Sequence, residues 1–280
     1  MQCSVSVLRW LCLGVFWAAS LALAQPSQPF QPPQPFRVGV APHSSARAIL
    51  EMYQPLRKYL EQALGQPVEI VTATDFGEFA RRMLKQDYDI AITTGHQARL
   101  AQTDAQYIPL LTYAAEFRAV TVVANDDAVK AVADLRGKPV LGLSPASLVT
   151  LWGEHWLRVN EVAVDLRYIS ASDSVARLVL EGQAVAGFLS MANYQSLPRA
   201  MQARLRFLVV GEPMAGRVYM LNHRNTKRAE EIRQALEGFA QTPAARDYFA
   251  KYKLEGYRPL RSGELEAMDL YTAAVRQSLR

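Results

Sequence analysis

Residues 53–95 read YQPLRKYLEQALGQPVEIVTATDFGEFARRMLKQDYDIAITTG, and helical and extended periodicities alternate along them. An amphipathic stretch is followed by the apolar run VEIVTAT (68–74), a second amphipathic stretch (76–85) and a second apolar run, DIAITT (89–94). Short apolar strands separated by helices at this spacing predict a sheet of parallel strands covered by helices on both faces. The chain is therefore expected to be an α/β protein.

The same alternation continues on both sides of this segment. RVGVAP (37–42) precedes it as a strand, and a second block repeats the pattern further along. In that block the pattern predicts helices at 127–134, 148–159 and 174–181 and strands at 139–143, 165–170 and 184–190. Two such blocks predict two lobes, each built on a mainly parallel sheet flanked by helices.

The C-terminal part contains too few strands for a third sheet. After the strand VYMLN (218–222), helical patterns cover 227–240, 243–252 and 262–279, so this tail is expected to pack back on the first lobe. The chain then crosses between the lobes twice, near Val120–Asn125 and near Val209–Glu212. Two crossovers predict a hinge, and the cleft between the lobes is the expected ligand site.

The predicted organisation has five segments. They are a signal peptide (1–24), a Pro/Gln-rich linker (25–36), the first part of lobe 1 (37–122), lobe 2 (123–208), and the return crossover with the C-terminal helices (209–280).

The first 24 residues have the pattern of a secretion signal. A short segment carrying Arg9 precedes an apolar run, and the small residues Ala22 and Ala24 stand before Gln25. Cleavage is expected between Ala24 and Gln25, with export to the periplasm. Gln25 provides no cysteine for a lipid anchor, and the repeat QPSQPF-QPPQPF that follows predicts an extended tether.

Composition excludes several classes of function. The only two cysteines, Cys3 and Cys12, lie in the signal, so the exported chain can be neither a cysteine enzyme nor a Cys-ligated zinc protein. The 31 Lys+Arg and 26 Asp+Glu give a net charge of +5 without a basic block, and no nucleic-acid partner is predicted. The four histidines lack metal-site spacing. No metal or other cofactor is therefore expected.

Catalytic motifs are also missing from the sequence. GLSPA (142–146) is not a GxSxG nucleophile elbow, and neither a phosphate-binding P-loop nor an HExxH sequence occurs. We therefore expect a binding protein and not an enzyme.

Three predicted strands end in loops rich in hydroxyl groups that lead directly into helices. Free backbone N–H groups and Ser or Thr side chains at such helix N-termini suit a tetrahedral oxyanion, although ordinary helix capping uses the same residues. The candidates in these loops are Thr93, Thr94, His96, Ser144, Ser147, Ser170 and Ser172. Three further candidates for the cleft are His43, Tyr53 and Phe76.

Several motifs resemble the periplasmic binding proteins of phosphonate, phosphite and phosphate ABC importers. They are Tyr-x-Pro-Leu at 53–56, Asp75-Phe76 between a strand and a helix, and Asp-Leu-x-Gly-Lys at 134–138; the resemblance covers about residues 37–222. It implies a type II periplasmic binding protein, a monomer whose two lobes close on a small anion and present it to a membrane permease.

Two positions depart from the family pattern. The serine-rich loop is SPASLVT (144–150), which keeps three hydroxyl groups but lacks the family's glycine, and Val185 stands where an acid is expected to face a ligand amine. Two alternatives stay open at this point: a solute other than a phosphorus compound, and a binding protein that serves a membrane sensor kinase.

Overall fold

The computed structural model describes residues 34–126 and 128–279, so the predicted signal peptide and residues 25–33 of the linker lie outside the described residues. The strands are β1 (Phe36–Val40), β2 (Val68–Val71), β3 (Ile90–Thr94), β4 (Ile108–Tyr113), β5 (Ala119–Ala124), β6 (Pro139–Gly142), β7 (Asp165–Tyr168), β8 (Ala186–Ser190), β9 (Leu205–Val210), β10 (Arg217–Leu221) and β11 (Tyr257–Arg258). The helices are α1 (Ala46–Leu64), α2 (Phe76–Leu84), α3 (Gly95–Ala105), α4 (Leu148–Val159), α5 (Ser172–Leu180), α6 (Met191–Ser196), α7 (Arg199–Gln202), α8 (Ala229–Ala240), α9 (Pro243–Tyr252) and α10 (Asp269–Ser278).

The strands form two sheets, as the sequence predicts. Sheet 1 has the order β11-β4-β10-β3-β1-β2, and sheet 2 has the order β7-β6-β8-β5-β9. In sheet 1 the strands β2, β1 and β3 are parallel, and in sheet 2 the strands β7, β6 and β8 are parallel. Each sheet thus contains one three-stranded parallel unit with helical connections.

Both sheets are mixed and not mainly parallel. β10 pairs antiparallel with β3 and β4, and β5 pairs antiparallel with β8 and β9. The reason is that β5 and β10 are the strands that arrive from the other sheet, without the helical crossover that a parallel neighbour requires. Apolar periodicity marks a strand but does not carry its direction, so this feature was not predicted.

The chain passes between the sheets at residues 114–118 and again at residues 211–216. The first crossover therefore precedes the predicted position, because Val120–Ala124 lies inside β5. The two connections contact each other through an isolated antiparallel bridge between Phe117 and Met214. Gly211 is required where it stands, since a Cβ atom there would lie 2.8 Å from the indole of Trp152.

Helix α1 illustrates how the sequence defines an element. Ser45 caps its first turn by accepting from the Ala48 N–H at 3.3 Å, and Gly65 ends it in the left-handed conformation. Its apolar face is buried against sheet 1, where α8 and α9 pack beside it. By contrast, the helix predicted at 127–134 is only a short 3₁₀ turn, Val132–Leu135, because the Asp134 carboxylate accepts from the backbone N–H groups of Lys130 and Ala131 and holds that segment as a turn.

The C-terminal helices divide their contacts between the sheets. α8 and α9 pack on α1, as predicted for the tail, whereas α10 packs on both α3 and α4. One apolar cluster runs from Phe79 in α2 to Phe188 in β8 and includes Tyr271 in α10. No helix of residues 34–126 and 128–279 has the length and apolar character needed to cross a membrane.

Gly39→Ala is expected to destabilise the protein by about 1–3 kcal/mol, because overpacking a buried site costs this much. Gly39 lies in β1, and an added Cβ atom would stand 2.5 Å from the buried ring of Tyr88. Urea unfolding followed by circular dichroism measures the change. Gly216→Ala is the matched control, since its Cβ atom would meet Phe117 at an ordinary 3.4 Å. Equal stability of Gly39→Ala and wild type would contradict the prediction.

Candidate ligand site between the two sheets

The loops that follow β3 and β6 are joined by one hydrogen bond. His96 lies just after β3 in sheet 1, and its Nε2 is 3.0 Å from the carbonyl oxygen of Ala146, in the loop after β6 of sheet 2. Because a carbonyl can only accept, Nε2 carries the proton. The other ring nitrogen, Nδ1, is 3.2 Å from Thr94 Oγ1, so it accepts from that hydroxyl. The structure thus brings Thr94 and His96 together with the predicted serine loop.

The imidazole of His96 is neutral. The side chain is fully buried, and burial lowers the pKa of His96 to about 4, although the hydrogen bond to Ala146 opposes the shift. This agrees with the geometry, which leaves Nδ1 as an acceptor. One consequence concerns Thr94, whose single hydroxyl proton is directed at His96 and is not available to a ligand.

The loop at residues 144–147 connects β6 to α4. Ser147 is the N-cap of α4; its Oγ accepts from the Thr150 N–H at 3.4 Å and lies 2.9 Å from Thr150 Oγ1. The Ser147 N–H donates to the carbonyl of Ser144 at 2.9 Å, which closes a tight turn. The hydroxyl of Ser144 is buried without a hydrogen-bond partner in the described part of the chain. An unsatisfied buried hydroxyl costs about 1–3 kcal/mol, so its presence needs an explanation.

The third predicted loop is hydrogen-bonded to a fourth loop between a strand and a helix, which the sequence analysis did not select. Ser172 begins α5 and accepts from Asn193 Nδ2 at 2.9 Å, whereas Ser170 is exposed. Ser190 ends β8, caps α6 and contacts the Asn193 side chain. The FLSMAN sequence (188–193) has the same order of strand, serine and helix as the other loops, so this loop could have been predicted from the sequence.

Thr93 and Phe76 are not brought into this group of loops. The Thr93 hydroxyl donates to Gln97 Oε1 at 3.0 Å, and Gln97 Nε2 donates to the carbonyl of Phe76 at 3.2 Å. Thr93 is fully buried, and the Phe76 ring packs against the core. These residues fix α2 and α3 relative to each other.

His43 and Tyr53 meet around an arginine that the sequence analysis did not select. His43 Nδ1 donates to the carbonyl of Ala41 at 2.9 Å, and its Nε2 accepts from Arg217 Nη1 at 3.0 Å. The Tyr53 hydroxyl is 3.4 Å from the same Nη1. Burial and the neighbouring guanidinium lower the pKa of His43 to about 3, so this imidazole is neutral as well. Arg217 stands one residue before the recognised strand pattern and carried no motif of its own.

A family model described as "ABC transporter, phosphonate, periplasmic substrate-binding protein" matches residues 38–264. The chain belongs to this family. The resemblance drawn from the 53–56, 75–76 and 134–138 motifs is therefore confirmed, as is the function of a periplasmic substrate-binding protein in ABC transport. No curated protein was found that matches the sequence.

Solved structures show the type II periplasmic-binding-protein fold that the sequence predicts. XAC2383 from Xanthomonas citri bound to ATP has a TM-score of 0.75 at 18% identity, covering 88% of this chain and 99% of the other. PhnD1 from Prochlorococcus marinus (MIT 9301) with methylphosphonate has a TM-score of 0.74 at 13% identity, covering 88% and 98%. The aliphatic sulphonate binding protein SsuA from Escherichia coli has a TM-score of 0.64 at 16% identity, covering 88% and 93%.

The family assignment places the site chemistry in the context of binding and transport. Within residues 34–126 and 128–279, no group of three or more His, Cys, Asp or Glu side chains is close enough to hold a metal ion. Apart from Arg217, the polar groups collected at the strand ends are hydroxyls, backbone amides and two neutral imidazoles. Such groups bind by donating and accepting hydrogen bonds.

His96→Gln is expected to make the stability of the protein less sensitive to acidic pH. Between pH of about 4 and 6.5 the unfolded histidine binds a proton that the folded one does not, so stability falls as the pH is lowered through this window, by up to about 1.4 kcal/mol per pH unit. Glutamine keeps a donor for Ala146 and does not titrate. Urea unfolding at a series of pH values should show a shallower slope in the variant; equal slopes would contradict the prediction.

Proposed function

We propose that this chain binds a small phosphonate-, phosphite- or phosphate-like anion between the two sheets and releases it to an ABC permease, without catalysing a reaction. The observation that carries the proposal is the buried hydroxyl of Ser144, which has no hydrogen-bond partner among residues 34–126 and 128–279 and lies in the loop that His96 joins to sheet 1. A ligand oxygen at this position would satisfy that hydroxyl.

The neutral donors around the loop suit an oxyanion. α4 begins at Leu148, so the N–H groups of its first turn have no partner within the helix. The helix dipole adds about 0.3–1 kcal/mol for a negative charge there, and a hydrogen bond to a charged group contributes about 1.5–3 kcal/mol. A few such contacts are enough to hold a small anion.

The proposed contacts differ in what they can donate. The Ser144 hydroxyl has no partner in the described part of the chain and can donate to a ligand. The backbone N–H groups in the first turn of α4, which follows Ser147, are further donors. Ser172 and the exposed Ser170 extend the site along sheet 2. Thr94 can accept from a ligand but cannot donate while His96 is neutral. A partly protonated phosphonate or phosphate has both donor and acceptor oxygens and matches this mixture.

Transport by this class of protein requires closure on the ligand. We propose that the lobes correspond to the two sheets with their helices and that the crossovers at 114–118 and 211–216 form the hinge. A ligand held by loops of both sheets binds the closed state more tightly and so drives closure.

The ligand class is supported by what related structures contain. PhnD1 was solved with methylphosphonate, and XAC2383 was solved with ATP and with chloride, so these relatives bind anions. Val185 is half-buried just before β8 and offers no charge to a ligand amine. We therefore propose a ligand without an amino group.

The proposed cellular setting follows from the family and the sequence. A signal peptide at 1–24, cleaved between Ala24 and Gln25, would deliver a monomer to the periplasm, where an inner-membrane permease receives the solute. In the alternative proposal, a sensor receptor in the membrane binds the same closed form of the protein.

The first test is thermal unfolding of the mature protein with phosphate, phosphite, methylphosphonate, sulfate, sulfonates and small carboxylates. A ligand at 100 times its Kd stabilises by about 2.7 kcal/mol, which raises the Tm of a protein of this size by roughly 5–10 °C. We expect the phosphorus oxyanions to produce the largest shift. No shift with any anion would contradict the proposal.

Ser144→Ala is expected to weaken anion binding by about 10-fold or more, the value of one hydrogen bond to a charged group. Stability without ligand should stay unchanged or rise, because the variant removes an unsatisfied hydroxyl. Isothermal titration calorimetry and urea unfolding measure the two quantities. Ser196→Ala is the matched control, since that exposed hydroxyl bonds to the Ala192 carbonyl within its own helix. Unchanged affinity in Ser144→Ala would contradict the proposed site.

A further inference from the structure

We propose that Arg217 is a ligand-binding residue and that its guanidinium binds an acidic oxygen of the transported anion. This inference rests on the proposed function and adds a fixed positive charge to a site otherwise made of neutral donors. It is carried by the position of Arg217 in sheet 1, by the neutrality of its partners, and by the absence of a carboxylate beside it in the described part of the chain.

Arg217 lies at the end of an interior strand of sheet 1, on the side where the strands run into the loops of the proposed site. It is the first residue of β10 and pairs with Thr94, the last residue of β3. Directly paired residues of antiparallel strands project their side chains from the same face of the sheet. The side chains of Arg217 and Thr94 therefore lie on the same face of sheet 1. Both residues are at the ends of strands, where the loops with His43 and His96 begin.

Among the described residues, the guanidinium of Arg217 contacts neutral groups. Nη1 is 3.0 Å from His43 Nε2, 3.4 Å from the Tyr53 hydroxyl and 3.8 Å from the Met52 sulfur. The guanidinium carbon lies 5.3 Å from the centre of the Tyr113 ring. Among residues 34–126 and 128–279, no carboxylate oxygen lies within the 4.0 Å of an ion pair with Arg217.

His43 does not change this charge. Its Nδ1 proton is donated to the Ala41 carbonyl, which leaves Nε2 as the acceptor for Arg217. The ring is therefore neutral, and a second proton on Nε2 would point at the guanidinium.

The surrounding tyrosines are neutral too. The Tyr113 hydroxyl is 2.7 Å from that of Tyr219 and 2.5 Å from that of Tyr248. Burial raises the pKa of Tyr113, Tyr219 and Tyr248 well above the usual value. These hydroxyls hold their protons at neutral pH, so the cluster has a net charge of +1 from Arg217 alone.

Two other partly buried arginines, Arg258 and Arg99, have carboxylate partners. Arg258 makes a double contact with Glu264, at 2.6 and 2.8 Å, and Arg99 contacts Asp269 at 2.7 Å. Removing a charge from water without such compensation is unfavourable. Besides the two N–H groups of Nη1, the half-buried Arg217 has three N–H donors on Nε and Nη2, and the planar fork of a guanidinium matches a carboxylate or phosphonate. A ligand anion would supply the missing negative charge.

The test is calorimetric titration of wild type, Arg217→Gln and Arg217→Lys with methylphosphonate and with phosphonoacetate. We expect Arg217→Gln to weaken binding by about 10- to 100-fold, as for a charge-assisted contact, and Arg217→Lys to restore part of it. A loss with phosphonoacetate alone assigns Arg217 to the carboxylate, and a loss with both ligands assigns it to the phosphonate. Arg224→Gln, an exposed arginine paired with Asp89, controls for net charge and should bind like wild type.

Affinities of Arg217→Gln within about threefold of wild type for both ligands would overturn the role of Arg217 while leaving the proposed function intact. If neither ligand binds wild type, the proposed function and this inference fail together. Should Arg217→Gln not fold, as judged by circular dichroism, Arg217→Lys decides, because it keeps the charge and loses the fork. Wild-type affinity in Arg217→Lys would then overturn the inference.

Discussion

The hydrogen bond from His96 Nε2 to the Ala146 carbonyl determines how the loops of the two sheets meet. It requires a neutral imidazole with its proton on Nε2, and full burial provides that state by lowering the pKa of His96 to about 4. The remaining lone pair on Nδ1 then takes the hydroxyl proton of Thr94. Two side chains that the sequence offers as ligand donors, Thr94 and His96, therefore hydrogen-bond to each other or to the Ala146 carbonyl. Ser144, by contrast, has a buried hydroxyl with no hydrogen-bond partner among the described residues.

The two sides of the proposed site offer different chemistry for binding an anion. Sheet 2 offers a hydroxyl and a helix N-terminus, which stabilise negative charge without a counterion and bind the oxygens of one group closely. Sheet 1 offers Arg217, whose charge is not cancelled by any side chain described beside it. Neutral donors favour release because no ion pair has to be broken, whereas a guanidinium adds long-range attraction and selects for acidic groups. A carrier that must both capture and release its solute gains from combining them.

Sequence periodicity predicted most of the strands and helices because each pairs a regular apolar pattern with a clear stop, as Gly65 does for α1. Strand direction in β5 and β10 was not predictable, because buried strands of either direction have the same apolar composition. The serine loops were predictable from strand and helix boundaries. The role proposed for Arg217 was not predictable from the sequence. It depends on the absence of a carboxylate beside Arg217 among the described residues, and only the three-dimensional contacts show this.

The C-terminal helix α10 contacts a helix beside each sheet, α3 and α4. α10 is fixed to α3 near the site, where Thr272 donates to the carbonyl of His96 at 2.8 Å. It also touches α4, where the rings of Tyr271 and His155 lie 6.1 Å apart in an edge-to-face arrangement. An opening that moves α3 and α10 together away from α4 would break both the His96–Ala146 hydrogen bond and this ring contact. In the proposed closure, the Thr272–His96 hydrogen bond would keep α10 with α3, so α4 would have to move relative to α10.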